Sequence, residues 1–206
     1  MPRTLVIDTA TAACSVALIV DGALIAEEHA EVGRGHAERL MPMIAALPDG
    51  GRADAILVDC GPGSFTGVRV GLAAARALGL GWGISVHGYS STAAIAAAAA
   101  RHGVGEPIGI ALIGGHGELF VQRYATRPVA PLSGLASLVP GEAAQFIPDV
   151  HVFGSGAPQL IAARGGGNAH AALPRAADAR LLPPALAALP PSPIYGRDAD
   201  AKAMPV

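Results

Sequence analysis

The sequence is poor in lysine, cysteine and charge. Its only lysine is Lys202, its two cysteines are Cys14 and Cys60, and charged residues make up 15% of the 206 positions, with a net charge of −2. Because a nucleic-acid backbone is held by clustered basic side chains, this composition excludes an autonomous nucleic-acid-binding surface. The long separation of the cysteines excludes a redox pair or a cysteine-rich metal cluster, and we interpret both as small core residues.

Long apolar runs and a secretory leader are also missing. Although 51% of the residues are hydrophobic, glycine, proline or charge interrupts every stretch before it reaches the ~20 apolar residues of a membrane-spanning helix. The first residues lead directly into a predicted strand, without the basic region, apolar block and cleavage site of a signal peptide. We therefore expect a cytoplasmic protein.

Familiar catalytic arrangements are missing as well. No two of the seven histidines are four residues apart, so no helix can present the paired imidazoles of an H-E-x-x-H metalloprotease. The Gly-x-Ser-x-Gly elbow of serine hydrolases is absent. Asp8 and Asp59 each end a predicted strand and form a candidate carboxylate pair, with turn capping as the alternative role.

A glycine-rich run, Gly61–Val70, connects a predicted strand at 55–59 to a predicted helix at 65–80. Its glycines allow close approach of the backbone to a ligand or another chain, and Ser64 or Thr66 can cap the helix, where the dipole favours an anion. Unlike a Walker loop, the run contains no lysine. It is either a nucleotide contact or a turn that sets the helix for packing. The nucleotide interpretation uses Asp8, Thr9, Thr11, Gly63, Ser64 and Thr66.

The order of the predicted elements indicates an α/β protein in two lobes. Three apolar runs within residues 4–28, the last two separated by Asp21-Gly22, predict a β-hairpin unit. Alternating helices and strands follow, which predicts a mixed sheet with helices on its faces. With a boundary at Gly103–Pro107, we predict one lobe over 1–103 and a smaller one over 104–206, whose last residues pack back on the first lobe.

Two predicted helices, at 36–47 and 65–80, have too few polar residues for helices that pack with one face only. The second carries Arg69 and Arg76 as its only charges, and Gly67 and Gly71 leave a face that another helix could approach closely. A protein interface is one interpretation, and coverage by the rest of this chain is the other. The residues assigned to the interface are Glu38, Leu40, Met43, Leu47, Val68, Arg69, Gly71, Leu72 and Arg76.

Three motifs, taken in order and spacing, resemble the bacterial TsaB (YeaZ) family. They are Ile7-Asp8-Thr9-Ala10-Thr11, the segment His36–Pro42 and the glycine-rich run, and the resemblance covers residues 4–103. A further segment, Pro193–Arg197, is similar to the family's C-terminal Pro-x-Tyr-x-Arg. The resemblance implies the actin-like ATPase (ASKHA) fold, in which two lobes are each built on a mixed β-sheet flanked by helices.

The resemblance also implies a function. Members of this family are non-catalytic scaffold partners of TsaD in the formation of N6-threonylcarbamoyladenosine next to the anticodon of tRNA, with TsaE as an ATPase in the larger complex. They pair with TsaD through the two N-terminal helices, which can also form homodimers. A chain of this kind has no catalytic residue, metal or cofactor of its own and meets tRNA only through the complex. Leu72→Arg is then expected to abolish the complex and leave the fold intact.

One segment departs from the family pattern. Where the family tends to have Asp-Ala-Arg-x-Gly-Glu-Val-Tyr, residues 113–120 are Ile-Gly-Gly-His-Gly-Glu-Leu-Phe, so an acid and an arginine are missing. The alternative function is a small-molecule kinase or ATPase of the actin-like superfold. In it, Asp8 would be the base or metal contact, and Thr9, Thr11 and Ser64 would surround the phosphate.

Overall fold

A five-stranded mixed sheet is built by the first 89 residues. In the computed structural model, which describes residues 1–104 and 107–196, its strands are β1 (Arg3–Asp8), β2 (Ala13–Val20), β3 (Ala23–Glu31), β4 (Ala55–Asp59) and β5 (Ser85–Tyr89), in the order β3-β2-β1-β4-β5. β1 pairs antiparallel with β2 and parallel with β4. The carboxyl ends of β1, β4 and β5 therefore meet at one edge of the sheet.

Three helices cover this sheet on its two faces: α1 (His36–Ala46), α2 (Phe65–Trp82) and α3 (Ser91–Arg101). Alternate residues of a strand point to opposite faces. Leu5 and Ile7 of β1 accordingly pack in the cluster that contains the buried residues of α1 and α2, whereas Val6 packs in the cluster that contains α3.

A second mixed sheet follows. Its strands are β6 (Ile108–Ile113), β7 (Leu119–Thr126), β8 (Val129–Pro131), β9 (Ala136–Leu138), β10 (His151–Phe153) and β11 (Asn168–His170), in the order β11-β10-β6-β7-β8, with β9 paired to β7. Helices α4 (Pro140–Phe146) and α5 (Ala157–Arg164) pack on one face. Residues of β6 and β7 on the other face pack with α3, so this alanine-rich helix shares a core with both sheets.

The local predictions agree closely with these elements. Asp21 and Gly22 both have positive φ, as the tight turn of a hairpin requires. The helix predicted over 65–80 extends to Trp82 and ends at Gly83, which is left-handed at φ 68°. The helix predicted over 36–47 stops at Ala46, because Leu47 is extended. The predicted fold class, two mixed sheets flanked by helices, is confirmed.

The final described residues return to the first sheet. Leu189 and Gly88 exchange backbone hydrogen bonds of 3.0 and 2.7 Å, and Ile194 N donates to the Cys60 carbonyl at 2.8 Å. The division into lobes at 103/104 stays a prediction, because Gly105 and Glu106 of the predicted boundary lie outside the described residues, as does Arg197 of the C-terminal motif. No helix within 1–104 and 107–196 is long and apolar enough to cross a membrane.

Candidate functional site

A cleft of about 780 Å³ lies where the loops of the two sheets face each other. One wall is the β1–β2 loop and the start of α2, another is the β6–β7 hairpin, and residues 194–196 contribute a third. Its lining is largely apolar and includes Thr11, Gly63, Ser64, Phe65, Arg69, Ile113, His116, Phe120, Ser155, Ile194 and Tyr195. The hairpin segment 113–120, whose sequence departs from the family pattern, thus borders the cleft.

The glycines of the glycine-rich run lie against the chain's own backbone. A Cβ atom at Gly63 would overlap the carbonyl oxygen of Ala10, and one at Gly67 would overlap that of Thr9. A Cβ at Gly71 would lie 2.5 Å from Thr9 Oγ1. The expectation that Gly67 and Gly71 admit a helix of another protein is therefore wrong. These positions are small because the β1–β2 loop crosses α2 there.

Some of the six candidate nucleotide residues line the cleft, and others are engaged in hydrogen bonds within the fold. Thr11, Gly63 and Ser64 line the cleft, and Thr66 is exposed in the first turn of α2. Thr9 is buried and donates its hydroxyl hydrogen bond to the Gly67 carbonyl at 2.7 Å. Ser64 caps α2 by accepting from Gly67 N at 3.2 Å. Thr9 thus holds the helix to the loop and Ser64 caps the helix start, as the packing interpretation of this run predicts.

The sixth candidate, Asp8, forms a buried carboxyl pair with Asp59. The two residues end the adjacent parallel strands β1 and β4, and both are fully buried. Tyr89 donates its hydroxyl to Asp8 Oδ2 at 2.9 Å. Asp59 accepts from Gly61 N at 2.8 Å and from the Ser91 hydroxyl at 2.7 and 2.9 Å. Of the two proposed roles, the turn-capping role describes the Asp59 contact with Gly61.

Burial raises the pKa of both carboxyls. It lifts the pKa of Asp8 from 3.8 to about 6, although hydrogen bonds from Tyr89 and Asp59 oppose the rise. Burial and the neighbouring Asp8 charge raise the pKa of Asp59 well above its usual value. Two adjacent buried carboxyls cannot both ionise without a large cost. Burial and the neighbouring carboxyl therefore favour the protonated form of Asp59.

Tyr89 and Ser91 belong to this group but were not selected from the sequence. They flank the junction of β5 and α3, the third parallel strand end at the same sheet edge. Their position at the carboxyl end of a strand parallel to β1 and β4 was the signal in the sequence that could have placed them beside Asp8 and Asp59. The two cysteines are free and buried, which confirms their interpretation as core residues. Burial raises the pKa of each thiol to about 11.

Five of the nine residues assigned to a protein interface are buried under their own helices. The exposed fractions are 1% for Leu40, 3% for Leu47, 4% for Val68 and 3% for Leu72, and Gly71 is also buried. They pack on the first sheet with Leu5, Ile7 and Val58. Their assignment as direct contacts to another protein is wrong, because these five residues lie in the core between the two helices and the first sheet. Met43 is half-buried, and Glu38, Arg69 and Arg76 are exposed.

The outer surfaces of the same helices form what we call the docking face. It consists of Ala37, Met41 and Ala45 on α1 and Ala73, Ala77 and Leu80 on α2, all exposed. Leu80 is 87% exposed and Met41 is 48% exposed. The helices pack side by side on the sheet. The described part of the chain therefore leaves a surface of alanines and two large apolar side chains open to solvent.

The matched family model, described as "TsaD: tRNA N6-adenosine threonylcarbamoyltransferase", covers residues 26–130. An uncharacterized protein of Mycobacterium tuberculosis H37Rv is 38% identical over 152 residues, which is 68% of each chain. The Escherichia coli K12 protein "tRNA threonylcarbamoyladenosine biosynthesis protein TsaB" is 38% identical over 128 residues, 59% of this chain and 54% of that protein. A match to a Mycobacterium leprae protein spans only 29% of its length.

A solved structure titled "YeaZ from Pseudomonas aeruginosa" is 30% identical and superposes with a TM-score of 0.73, covering 86% of this chain and 88% of that one. Two mixed sheets, helices on their faces and a cleft between their loops define the class of the fold, an α/β protein built on two mixed sheets. The similar proteins identify the family within that class. The chain belongs to the TsaB/YeaZ family.

Proposed function

We propose that this protein is a non-catalytic scaffold partner of TsaD in the formation of N6-threonylcarbamoyladenosine in tRNA. The observation that carries the proposal is the docking face, where Met41 and Leu80 stand exposed among four alanines. An apolar face rimmed by polar residues is typical of a protein interaction site. Alanines also permit the close approach of a partner helix.

A catalytic role of its own is not supported by the strand-end carboxylates. Asp8 and Asp59 are fully buried and bonded to Tyr89, Ser91 and Gly61 N, so neither reaches a substrate in the cleft. Metal-assisted phosphoryl transfer depends on carboxylates and cations placed at the phosphate. In this proposal the chemistry belongs to TsaD, TsaE joins the larger complex, and tRNA is met only through that complex. The same face would also serve a homodimer.

The decisive experiment is an exposed substitution on the docking face. Leu72→Arg, expected from the sequence to spare the fold, would instead place a charge in the core, because Leu72 is 3% exposed. Ala73→Arg changes an exposed position beside it and should abolish co-purification with TsaD of the same organism. The matched control is Ala163→Arg, an exposed alanine of α5 on the second sheet. Retention of the complex by Ala73→Arg would refute the docking face.

The cleft supports one alternative, a nucleotide-binding kinase or ATPase. Its volume suits a small molecule, and Thr11, Ser64 and Arg69 line it. Calorimetry of the lone protein with Mg-ATP tests this alternative. Stoichiometric binding followed by turnover would favour an enzyme over a scaffold.

A further inference from the structure

The C-terminal segment 189–196, which we call the strap, crosses the edge of the first sheet and reaches the second. It is anchored by the Leu189–Gly88 pair and by Ile194 N on the Cys60 carbonyl. At its far end Gly196 lies against the ring of Phe120, where a Cβ atom would overlap that ring. The strap is therefore held in the fold by contacts at both of its ends.

Both exposed arginines of α2 bind the strap. Arg76 donates to the Pro191 carbonyl at 2.6 Å, and Arg69 donates to the Tyr195 hydroxyl at 3.2 Å. Arg69 also lies over the ring of Phe65, with its guanidinium carbon 3.3 Å from the ring centroid. The Phe65 and Tyr195 rings are tilted by 32° with centroids 6.2 Å apart. Phe65, Arg69 and Tyr195 form one unit, the aromatic–arginine ridge.

The ridge remains open although its members hold one another. Phe65 is 58% exposed and Tyr195 is 55% exposed. Arg69 and Ala73 are one turn apart on α2, so the ridge continues the docking face. Aromatic and arginine side chains dominate the binding energy of interfaces, and side chains already fixed in place lose less entropy on binding.

The charges near the ridge indicate the chemistry of the surface that meets it. The acceptors used by Arg69 and Arg76 are a phenol and a peptide carbonyl, both neutral. No acidic residue occurs in α2, and the exposed charges of α1 are Glu38 and Arg39. Helices α1 and α2 together therefore carry three exposed positive charges and one negative charge. A guanidinium bonded to a neutral acceptor gains from a carboxylate, because charge-assisted hydrogen bonds are the stronger ones.

We propose that the ridge of Phe65, Arg69 and Tyr195 is the binding hot spot of the docking face, and that it receives an apolar segment of the partner bearing a carboxylate that pairs with Arg69. This inference rests on the proposed function, since the partner is the TsaD protein. It adds that residues from the far end of the chain belong to the interface. It also assigns a role in binding the partner to Pro193–Tyr195, the described part of the C-terminal motif, for which the sequence alone indicated no role.

The test measures the affinity of the full chain for TsaD of the same organism by calorimetry. Tyr195→Ala and Phe65→Ala should each weaken binding at least about tenfold, the scale of a hot-spot side chain. Arg69→Gln should weaken binding and flatten the dependence of affinity on salt, because an ion pair is lost. Phe146→Ala, an exposed aromatic on α4, is the control and should bind like wild type. Urea unfolding of each variant separates lost contact from lost fold.

Each outcome is decisive. If Ala73→Arg abolishes binding but the Tyr195 and Phe65 variants bind normally, the docking face stands and the ridge is refuted. An Arg69→Gln variant with an unchanged salt dependence overturns the carboxylate counterpart. A wild-type chain that does not bind TsaD at all refutes the proposed function and the ridge together. If either Tyr195→Ala or Phe65→Ala unfolds, the affinities of the other variant and of Arg69→Gln decide whether the ridge contributes to binding.

Discussion

The buried carboxyl pair makes the stability of this protein depend on pH in an unusual direction. Most paired carboxylates have lowered pKa values and stabilise the fold as pH rises, but here burial raises both values. The folded chain therefore holds protons more tightly than the unfolded chain. Consequently the free energy of unfolding should fall as pH rises through the window between the unfolded and folded pKa values.

The size of the effect follows from the shift. For Asp8 the pKa rises from 3.8 to about 6, and one pKa unit corresponds to about 1.4 kcal/mol. The Asp8 contribution is thus about 3 kcal/mol, present below pH 4 and lost by the time pH exceeds 6. Asp59, whose pKa is raised well above 3.8, extends the loss to higher pH.

Asp59→Asn tests this reasoning because asparagine mimics the protonated acid. Its carbonyl oxygen can accept from Gly61 N, as Asp59 does at 2.8 Å, and its amide can donate to Asp8. The variant should be about as stable as wild type at pH 5. It should become more stable than wild type as the pH rises to 8.5, because burial disfavours the ionised form of Asp59, which only wild type can adopt.

Urea unfolding at pH 5, 6, 7 and 8.5 measures the difference. Asp21→Asn serves as the control, since Asp21 is exposed in a turn at φ 50°, a conformation that asparagine tolerates. The control should parallel wild type at every pH. If the free energies of unfolding of Asp59→Asn and wild type differ by the same amount at all four pH values, the folded chain does not hold the Asp59 proton more tightly than the unfolded chain.

Two further substitutions test the packing that positions the site. Gly63→Ala should lower the free energy of unfolding by about 2–4 kcal/mol, because the added methyl group overlaps the Ala10 carbonyl. Gly81→Ala has open space around the added methyl group and should stabilise α2 by about 0.5–1 kcal/mol. Equal unfolding midpoints of these two variants in urea would contradict both expectations. Asp149→Asn should cost about 2 kcal/mol in the same assay, since buried Asp149 accepts two hydrogen bonds of 2.8 and 2.9 Å from Arg123, and an unchanged midpoint would show that the pair is neutral to stability.

Local signals in the sequence were sufficient for much of the first sheet. The turn at Asp21-Gly22, the strand at 55–59 and the start of α2 after Ser64 all depend on neighbouring residues only. Each is a matter of turn chemistry, apolar runs or capping, which act over a few positions. These elements were predicted within two residues at each end.

The orientation of the helices could not be predicted in the same way. A helix is oriented by the contrast between an apolar and a polar face, and α2 consists largely of glycine, alanine and aliphatic residues with two arginines. Val68 and Leu72 were therefore placed on the partner side, although they face the sheet. The contact between Gly67 and Thr9 joins residues 58 positions apart. No local pattern reveals a contact over that distance.

The two faces of α2 use small residues for different physical reasons. Toward the β1–β2 loop, Gly67 is needed because the Thr9 carbonyl oxygen occupies the space of a side chain. Toward solvent, alanine exposes little apolar area in the free protein, so the face tolerates water, yet a partner helix can still approach closely. Larger apolar side chains at Ala73 and Ala77 would expose far more apolar surface when unpartnered. A face of alanines flanked by Leu80 at one end and the ridge at the other therefore suits the proposed scaffold role, which requires stability both alone and in a complex.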